Sequence, residues 1–178
     1  MKVSRYVVSA AALLALVVIP QRSVRAQQLE SPVHFGLSAG LNIPLSTLSQ
    51  SVQTGFIING FAQGTPQDWP VALRGELSYT GFGRKAGGLS MGITSGNIDA
   101  VLPLAPTGDA PYFIGGVGLN HLSQASGRIT ENDFGINFGG GWQWQLTGMT
   151  AFMELRYFYI NTSGSSAQML PLTFGLKF

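Results

Sequence analysis

The chain has 178 residues, a formal net charge of +2, 24 glycines and no cysteine. Charged residues make up only 10% of it, against about 25% in an ordinary soluble domain. Such a chain is too apolar for a disordered tail. Without cysteine it has no disulfide framework, iron–sulfur cluster, thiolate-bound zinc, cysteine nucleophile or lipoprotein anchor.

The first 26 residues read as an export signal. Lys2 and Arg5 precede an apolar run from Val7 to Pro20, and Val24-Arg25-Ala26 then forms a small-residue cleavage site before Gln27. The run is shorter than the ~20 residues a membrane-spanning helix needs. Four of the ten basic residues lie in this leader, so the chain from 27 to 178 keeps six against eight acidic residues, a net of −2. The positive charge belongs to the leader and implies no acidic partner or nucleic acid.

Beyond the leader no helical periodicity is sustained, and alternation with period two recurs instead, the mark of strands with two unlike faces. In chain order, Val33, Phe35, Leu37, Ala39 and Leu41 alternate with His34, Gly36, Ser38, Gly40 and Asn42. A weaker strand is expected over 54–63. Val71, Leu73, Leu77 and Tyr79 then alternate with Ala72, Arg74, Glu76, Ser78 and Thr80. Weaker strands follow over 89–104 and 112–122, the latter with its register left open by Gly115, Gly116 and Gly118. From Phe134 to Leu146 one face is Phe, Ile and Trp and the other Gly, Asn and Gln. A seventh strand alternates Met153, Leu155, Tyr157 and Tyr159 with Phe152, Glu154, Arg156 and Phe158. The eighth carries Leu170, Leu172, Phe174, Leu176 and Phe178 on one face, and Pro171, Thr173, Gly175 and Lys177 on the other.

Longer polar connections (44–53, 81–88, 123–132, 161–168) alternate with shorter ones (64–70, 105–110 and the dipeptide Thr147-Gly148). Long loops at one end and short turns at the other are expected of a membrane barrel. An even number of strands puts both termini at the short-turn end.

Periodicity does not say which face is the core, but composition does. A soluble barrel buries its greasy face and needs a charged exterior; a membrane barrel inverts this. Here the polar faces are mostly Gly, Ser, Thr, Asn and Gln. The strand charges Arg74, Glu76, Asp99, Glu154, Arg156 and Lys177 balance three against three, as a paired interior network requires. The aromatics fall at strand ends: Trp142, Trp144 and Phe178 toward the short turns, Phe56, Tyr79, Tyr157 and Tyr159 toward the long loops, an arrangement that suits two interfacial girdles.

A leader, eight alternating segments, the stretch PYFIGGVGLNHL and a last strand LPLTFGLKF together resemble the small outer-membrane β-barrel family (OmpX-like, opacity-protein-like). The resemblance covers nearly all of 27–178. It implies an all-β, eight-stranded antiparallel up-and-down transmembrane barrel in the outer membrane, without cofactor or metal. It further implies contact with outer-membrane lipid and lipopolysaccharide, a monomeric state, and a C-terminal strand read by the outer-membrane assembly machinery through Leu172, Phe174, Leu176 and Phe178. Pro171 departs from a regular strand and is expected at a bulge or at the outer rim.

Few residues could carry other chemistry. Two histidines, His34 and His121, give no metal spacing. His121-Leu122-Ser123 resembles the catalytic pair of the outer-membrane lipid A deacylases, with Glu131 the available carboxylate. That pair belongs in a penultimate strand, which here has no histidine. Gly139-Gly140-Gly141 lacks the Lys and Ser/Thr of a phosphate loop. Arg84, Lys85 and Arg128 lie in long loops, where they could meet lipopolysaccharide phosphates. The reading is a structural or surface-interaction barrel with a filled lumen, not an enzyme; the alternatives are a soluble secreted barrel binding a small apolar ligand and a lipid A hydrolase.

Overall fold

The computed structural model describes residues 33–83, 85, 90–105, 108–124, 130–162 and 165–178. The expected leader lies outside these residues, as do Arg84 and Arg128. Eight strands run β1 (His34–Leu45), β2 (Gly55–Gly64), β3 (Ala72–Phe82), β4 (Met91–Pro103), β5 (Ala110–Gln124), β6 (Thr130–Leu146), β7 (Met149–Thr162) and β8 (Ser165–Lys177). Each pairs antiparallel with the next, and β8 closes onto β1, so the sheet has no free edge. The seam ends in a reciprocal bond pair: Phe35 N donates to Phe178 O at 3.2 Å, and Phe178 N to Phe35 O at 2.8 Å. Both ends of the barrel chain therefore lie at the short-turn end.

The alternation in sequence becomes an alternation between outside and inside. Phe35, Leu37, Leu41, Phe56, Ile58, Leu77, Ile98, Phe113, Leu119, Phe134, Phe138 and Phe174 are all exposed on the outer wall. Their strand neighbours point inward, and most are buried. The open register of the fifth strand resolves with Tyr112, Ile114 and Asn120 buried inside and Phe113, Val117 and Leu119 outside. The β6–β7 hairpin turns on Gly148, whose φ of +81° lies in the left-handed region that a glycine enters without cost.

Three expectations change. The first long connection contains a six-residue helix, α1 (Ser46–Ser51), too short for periodicity to reveal. Its first residue, Ser46, has a φ of +51°, and Leu48 and Val52 are buried at the long-loop end. Secondly, β6 starts at Thr130, four residues before the alternation becomes visible. This puts Asp133 inside the barrel, buried, so strand charges do not balance three against three. Thirdly, Pro171 is neither at a bulge nor at the rim. It is buried in the middle of β8 opposite Asn42, and the register with β1 is the same on either side. Lacking an N–H, it interrupts the ladder to β7 between Leu155↔Leu172 and Phe158↔Met169 without shifting it.

Bulky inward side chains lie over glycines on the neighbouring strand. A Cβ added to Gly175 would meet the Phe152 ring at 2.4 Å, one on Gly141 would meet Tyr112 at 2.5 Å, and one on Gly139 would meet Arg156 Cα at 2.7 Å. Each of these glycines is the direct register partner of the residue it accommodates. These inward glycines are therefore a packing device: an eight-stranded barrel has just room for its side chains, and absent Cβ atoms make that room.

Candidate functional site

The lumen is layered. Read from the long-loop end, the inward face of β4 is Ile93, Ser95, Asn97, Asp99 and Val101, and that of β3 is Phe82, Thr80, Ser78, Glu76, Arg74 and Ala72, all buried. The order on both strands is apolar, small polar, charged, apolar. The upper apolar layer comprises Leu48, Val52, Phe82, Ile93, Leu122, Phe158, Ile160, Ala167 and Met169. The lower one comprises Phe61, Ala72, Val101, Tyr112, Ile114 and Phe152.

The charged layer is a network centred on Arg156. Its Nη2 donates to both oxygens of Glu76 at 2.6 and 2.7 Å, and its Nη1 to Asp99 Oδ2 at 3.2 Å. Its Nε lies 2.7 Å from Glu154 Oε1. Arg74 Nη1 donates to the other oxygen of Glu154 at 2.9 Å, and Arg74 Nε to Gln63 Oε1 at 3.0 Å. Tyr112 donates its hydroxyl to Glu154 Oε2 at 2.7 Å, and Asn137 its amide to Asp99 Oδ1 at 2.8 Å. The Arg74 guanidinium stacks 4.4 Å above the Phe61 ring, which meets Phe152 edge to face at 5.7 Å. Such an assembly holds position because removing any one partner strands a desolvated charge.

Five of the six charged residues singled out in the sequence thus converge. Lys177 does not: it points inward at the last position of β8, below the network, and forms no ion pair among the described residues. Sequence reasoning missed Gln63, Tyr112, Asn137 and Asp133. The first three are polar residues at inward positions, visible once register is known; Asp133 lay beyond the apparent strand start.

A row of small polar residues climbs the lumen wall, from Ser38 beside Phe152 of the lower apolar layer to Asn120 beside Ile160 of the upper one. Ser38, Asn59, Ser78, Ser95, Asn120 and Asp133 are consecutive register partners across β1 to β6, and all are buried. Asn59 Nδ2 donates to Ser38 Oγ at 2.8 Å, and Ser95 Oγ to Asn120 Oδ1 at 2.6 Å.

Tyr79, Trp142 and Trp144 are exposed on the outer wall, Tyr157 and Tyr159 half-exposed. On β8, Phe174 and Leu176 are exposed and Leu172 half-buried, and Phe178 just beyond it is exposed. Trp69, in the β2–β3 turn, joins the tryptophans at the short-turn end and is 56% exposed. The apolar concavities lined by Leu37, Ile58, Leu77 and Phe174, and by Ile98, Val117, Leu119 and Phe134, also lie on the outer wall. His121 and Ser123 make separate bonds: His121 Nδ1 is 3.0 Å from Asn132 Oδ1, and Ser123 Oγ donates to Gly92 O at 3.3 Å. Lys85 donates to the carbonyl of Ser49 on α1.

An apolar exterior around an ion-paired interior, in a sheet closed on itself, is the architecture of a transmembrane β-barrel. No protein-family model and no curated protein matches the chain. Among solved structures, its fold is similar to the crystal structure of neisserial surface protein A, with a TM-score of 0.64 and 19% identity over 82% of this chain and 95% of that one. It is also similar to the N-terminal β-barrel domain of Pseudomonas aeruginosa OprF, with a TM-score of 0.51 and 15% identity over 83% of this chain and 99% of that one. The likeness is one of fold, that of the small eight-stranded outer-membrane barrels.

Proposed function

We propose that this protein is an integral outer-membrane barrel with a structural or surface-interaction role, and that its lumen does not form an open pore. The observation that carries this reading is the inverted polarity: Leu37, Ile98, Phe113 and Leu119 stand exposed on the outer wall, while Arg74, Glu76, Asp99, Glu154 and Arg156 are buried within. In water that exterior would be an aggregation surface; in a bilayer it is the solvated face. A lipid-facing Arg or Lys at the bilayer centre would cost about 2–4 kcal/mol, and the register keeps Arg74 and Arg156 inside. The leader-like N-terminus supports export.

In this reading Trp142, Trp144 and Phe178 lie at one interface and Tyr79, Tyr157 and Tyr159 toward the other, with lipid and lipopolysaccharide as the surrounding partners and a monomer as the working unit. Leu172, Phe174, Leu176 and Phe178 form the signal for the assembly machinery. The test is fractionation of a Gram-negative host expressing the chain. The barrel reading expects recovery with outer membranes, extraction only by detergent, and faster migration on unboiled gels. Recovery as a soluble periplasmic protein would overturn it.

A further inference from the structure

The outer wall over β1–β3 carries two grooves, one above the other, that share Tyr79. The lower, of about 730 Å³, is walled by the exposed side chains Leu37, Ile58, Leu77 and Phe174 around Ala39 and Gly60. The upper, of about 690 Å³, is mixed: Leu41, Phe56 and Tyr79 line it together with Thr54, Ser90 and Ser123. Both volumes fall within the ~300–1,000 Å³ of small-ligand sites. Leu41, Phe56 and Gly81 stand one outward position nearer the long loops than Ala39, Ile58 and Tyr79, so the grooves follow one another along the same three strands.

The upper groove follows a single register row, Leu41↔Phe56↔Gly81↔Gly92↔Ser123. Gly81 and Gly92 pair directly and leave two adjacent outward positions without side chains. Strand glycines in such a place let another molecule approach the backbone closely. The neighbouring side chains lean over the gap. The Phe56 ring covers Gly81, where a Cβ would come within 2.6 Å of it. Ser123 Oγ and Tyr79 Oη converge on Gly92, 3.1 and 3.2 Å from the place of its absent Cβ. The Phe56 and Tyr79 rings lie 6.0 Å apart, tilted at 49°. Ser123 donates to Gly92 O at 3.3 Å and keeps its lone pairs to accept.

We propose that the two grooves hold one glycolipid of the bilayer, its neutral sugar headgroup in the upper and an acyl chain in the lower. A sugar ring carries C–H groups on its face and hydroxyls at its edge, which suits the electron-rich face of an aromatic ring beside two protein hydroxyls. Among the described residues no Lys, Arg, His, Asp or Glu lines the upper groove, so the headgroup is held by stacking and hydroxyls and not by charge. Any lipid would cover the lower groove; the upper one selects among headgroups. Continuity through Tyr79 favours an amphiphile over a free sugar, and a tyrosine between an apolar and a polar stretch is the side chain of a membrane interface. The inference rests on the outer-membrane reading above and gives its lipid partner a site.

The test takes the folded barrel in lauryldimethylamine oxide, a detergent without sugar, and measures retained lipid by native mass spectrometry. Monoglucosyl diacylglycerol and phosphatidylglycerol with the same acyl chains are supplied at equal concentration. The sugar lipid should be retained in about tenfold excess, the scale of one or two ordinary hydrogen bonds. Tyr79→Phe keeps the ring, removes the hydroxyl and should cut that excess about threefold. Gly92→Leu fills the floor and should abolish it, while Ile136→Ala, outward on β6, should leave it unchanged. Heat-modifiable migration shows that each variant is folded, and Phe56→Ala replaces Gly92→Leu if that variant loses it. Equal retention of the two lipids by the folded barrel, or a sugar preference that Tyr79→Phe and Gly92→Leu leave intact, would overturn the proposal. So would displacement of the glycolipid by millimolar methyl glucoside, which would make a soluble sugar sufficient. A chain recovered without detergent and retaining neither lipid would fell the outer-membrane reading and the proposal with it.

Discussion

Arg156 on β7 reaches Glu76 on β3 across the lumen, and one guanidinium nitrogen serves both carboxylate oxygens. The same side chain also holds Asp99 and Glu154. Arg156→Met would therefore leave Glu76 and Asp99 without a cation, and Glu154 with Arg74 alone. Breaking a buried pair by removing one partner costs about 3–5 kcal/mol, and that loss is expected in the urea midpoint of the protein refolded into micelles. Arg74→Met should cost distinctly less, because Glu154 keeps Arg156 and the Tyr112 hydroxyl. Equal losses would mean that Arg156 is not the hub.

A second pair of variants separates glycines that are needed from one that is not. A Cβ on Gly40 would sit 1.9 Å from the Leu172 carbonyl oxygen and 2.7 Å from the Thr173 Cα. Both are backbone atoms of β8, so no rotamer change relieves the clash and Gly40→Ala must push the closing strands apart. Overpacking of this kind costs about 1–3 kcal/mol. Gly75 faces outward with nothing within 4 Å, and Gly75→Ala should stabilise by about 0.4–1 kcal/mol through the unfolded chain. Matched denaturation midpoints check both signs.

The eight strands were legible because every inward residue is flanked by outward ones, as in Phe134–Leu146, and only one assignment of faces leaves charge out of lipid. The five charges that converge were legible for the same reason: Arg74 and Glu76, like Glu154 and Arg156, sit at i and i+2 on one face. What stayed hidden depended on contacts distant in sequence. The buried face of α1 amounts to Leu48 and the adjoining Val52, too little for a period to register. Asp133 follows Glu131 and Asn132, polar residues that read as loop until Leu122 and His121 are known to pair across from them. Pro171 reads as a strand breaker, yet the closed ladder holds its register on both sides. Lys177 has the right parity for the network but lies past its lower edge, a matter of height in the barrel that alternation does not encode.

All three tryptophans of the chain, Trp69, Trp142 and Trp144, lie toward the short-turn end. If that end is one membrane interface, their fluorescence in lipid vesicles reports a single depth. Lipids carrying a quencher near the headgroup should dim the emission more than lipids with the quencher at the chain terminus. Stronger quenching from the bilayer centre would contradict the girdle and shift the barrel along the membrane normal.

Phe178 joins two roles that one substitution can separate. Its backbone closes the barrel through two bonds with Phe35, and its carbonyl lies 3.2 Å from His34 Nδ1. Its ring stands 55% exposed on the outer wall. Phe178→Ala keeps the backbone bonds and removes only the exposed ring, so the stability of refolded protein should change by less than about 1 kcal/mol. If the ring is part of the assembly signal, the amount of barrel reaching the outer membrane should nevertheless fall several-fold, with unassembled chain degraded in the periplasm. Deleting Phe178 removes the two backbone bonds as well, each contributing about 0.5–1.5 kcal/mol, and should lower both stability and yield. A normal membrane yield from Phe178→Ala would assign the last residue to closure alone and leave assembly to Leu172, Phe174 and Leu176.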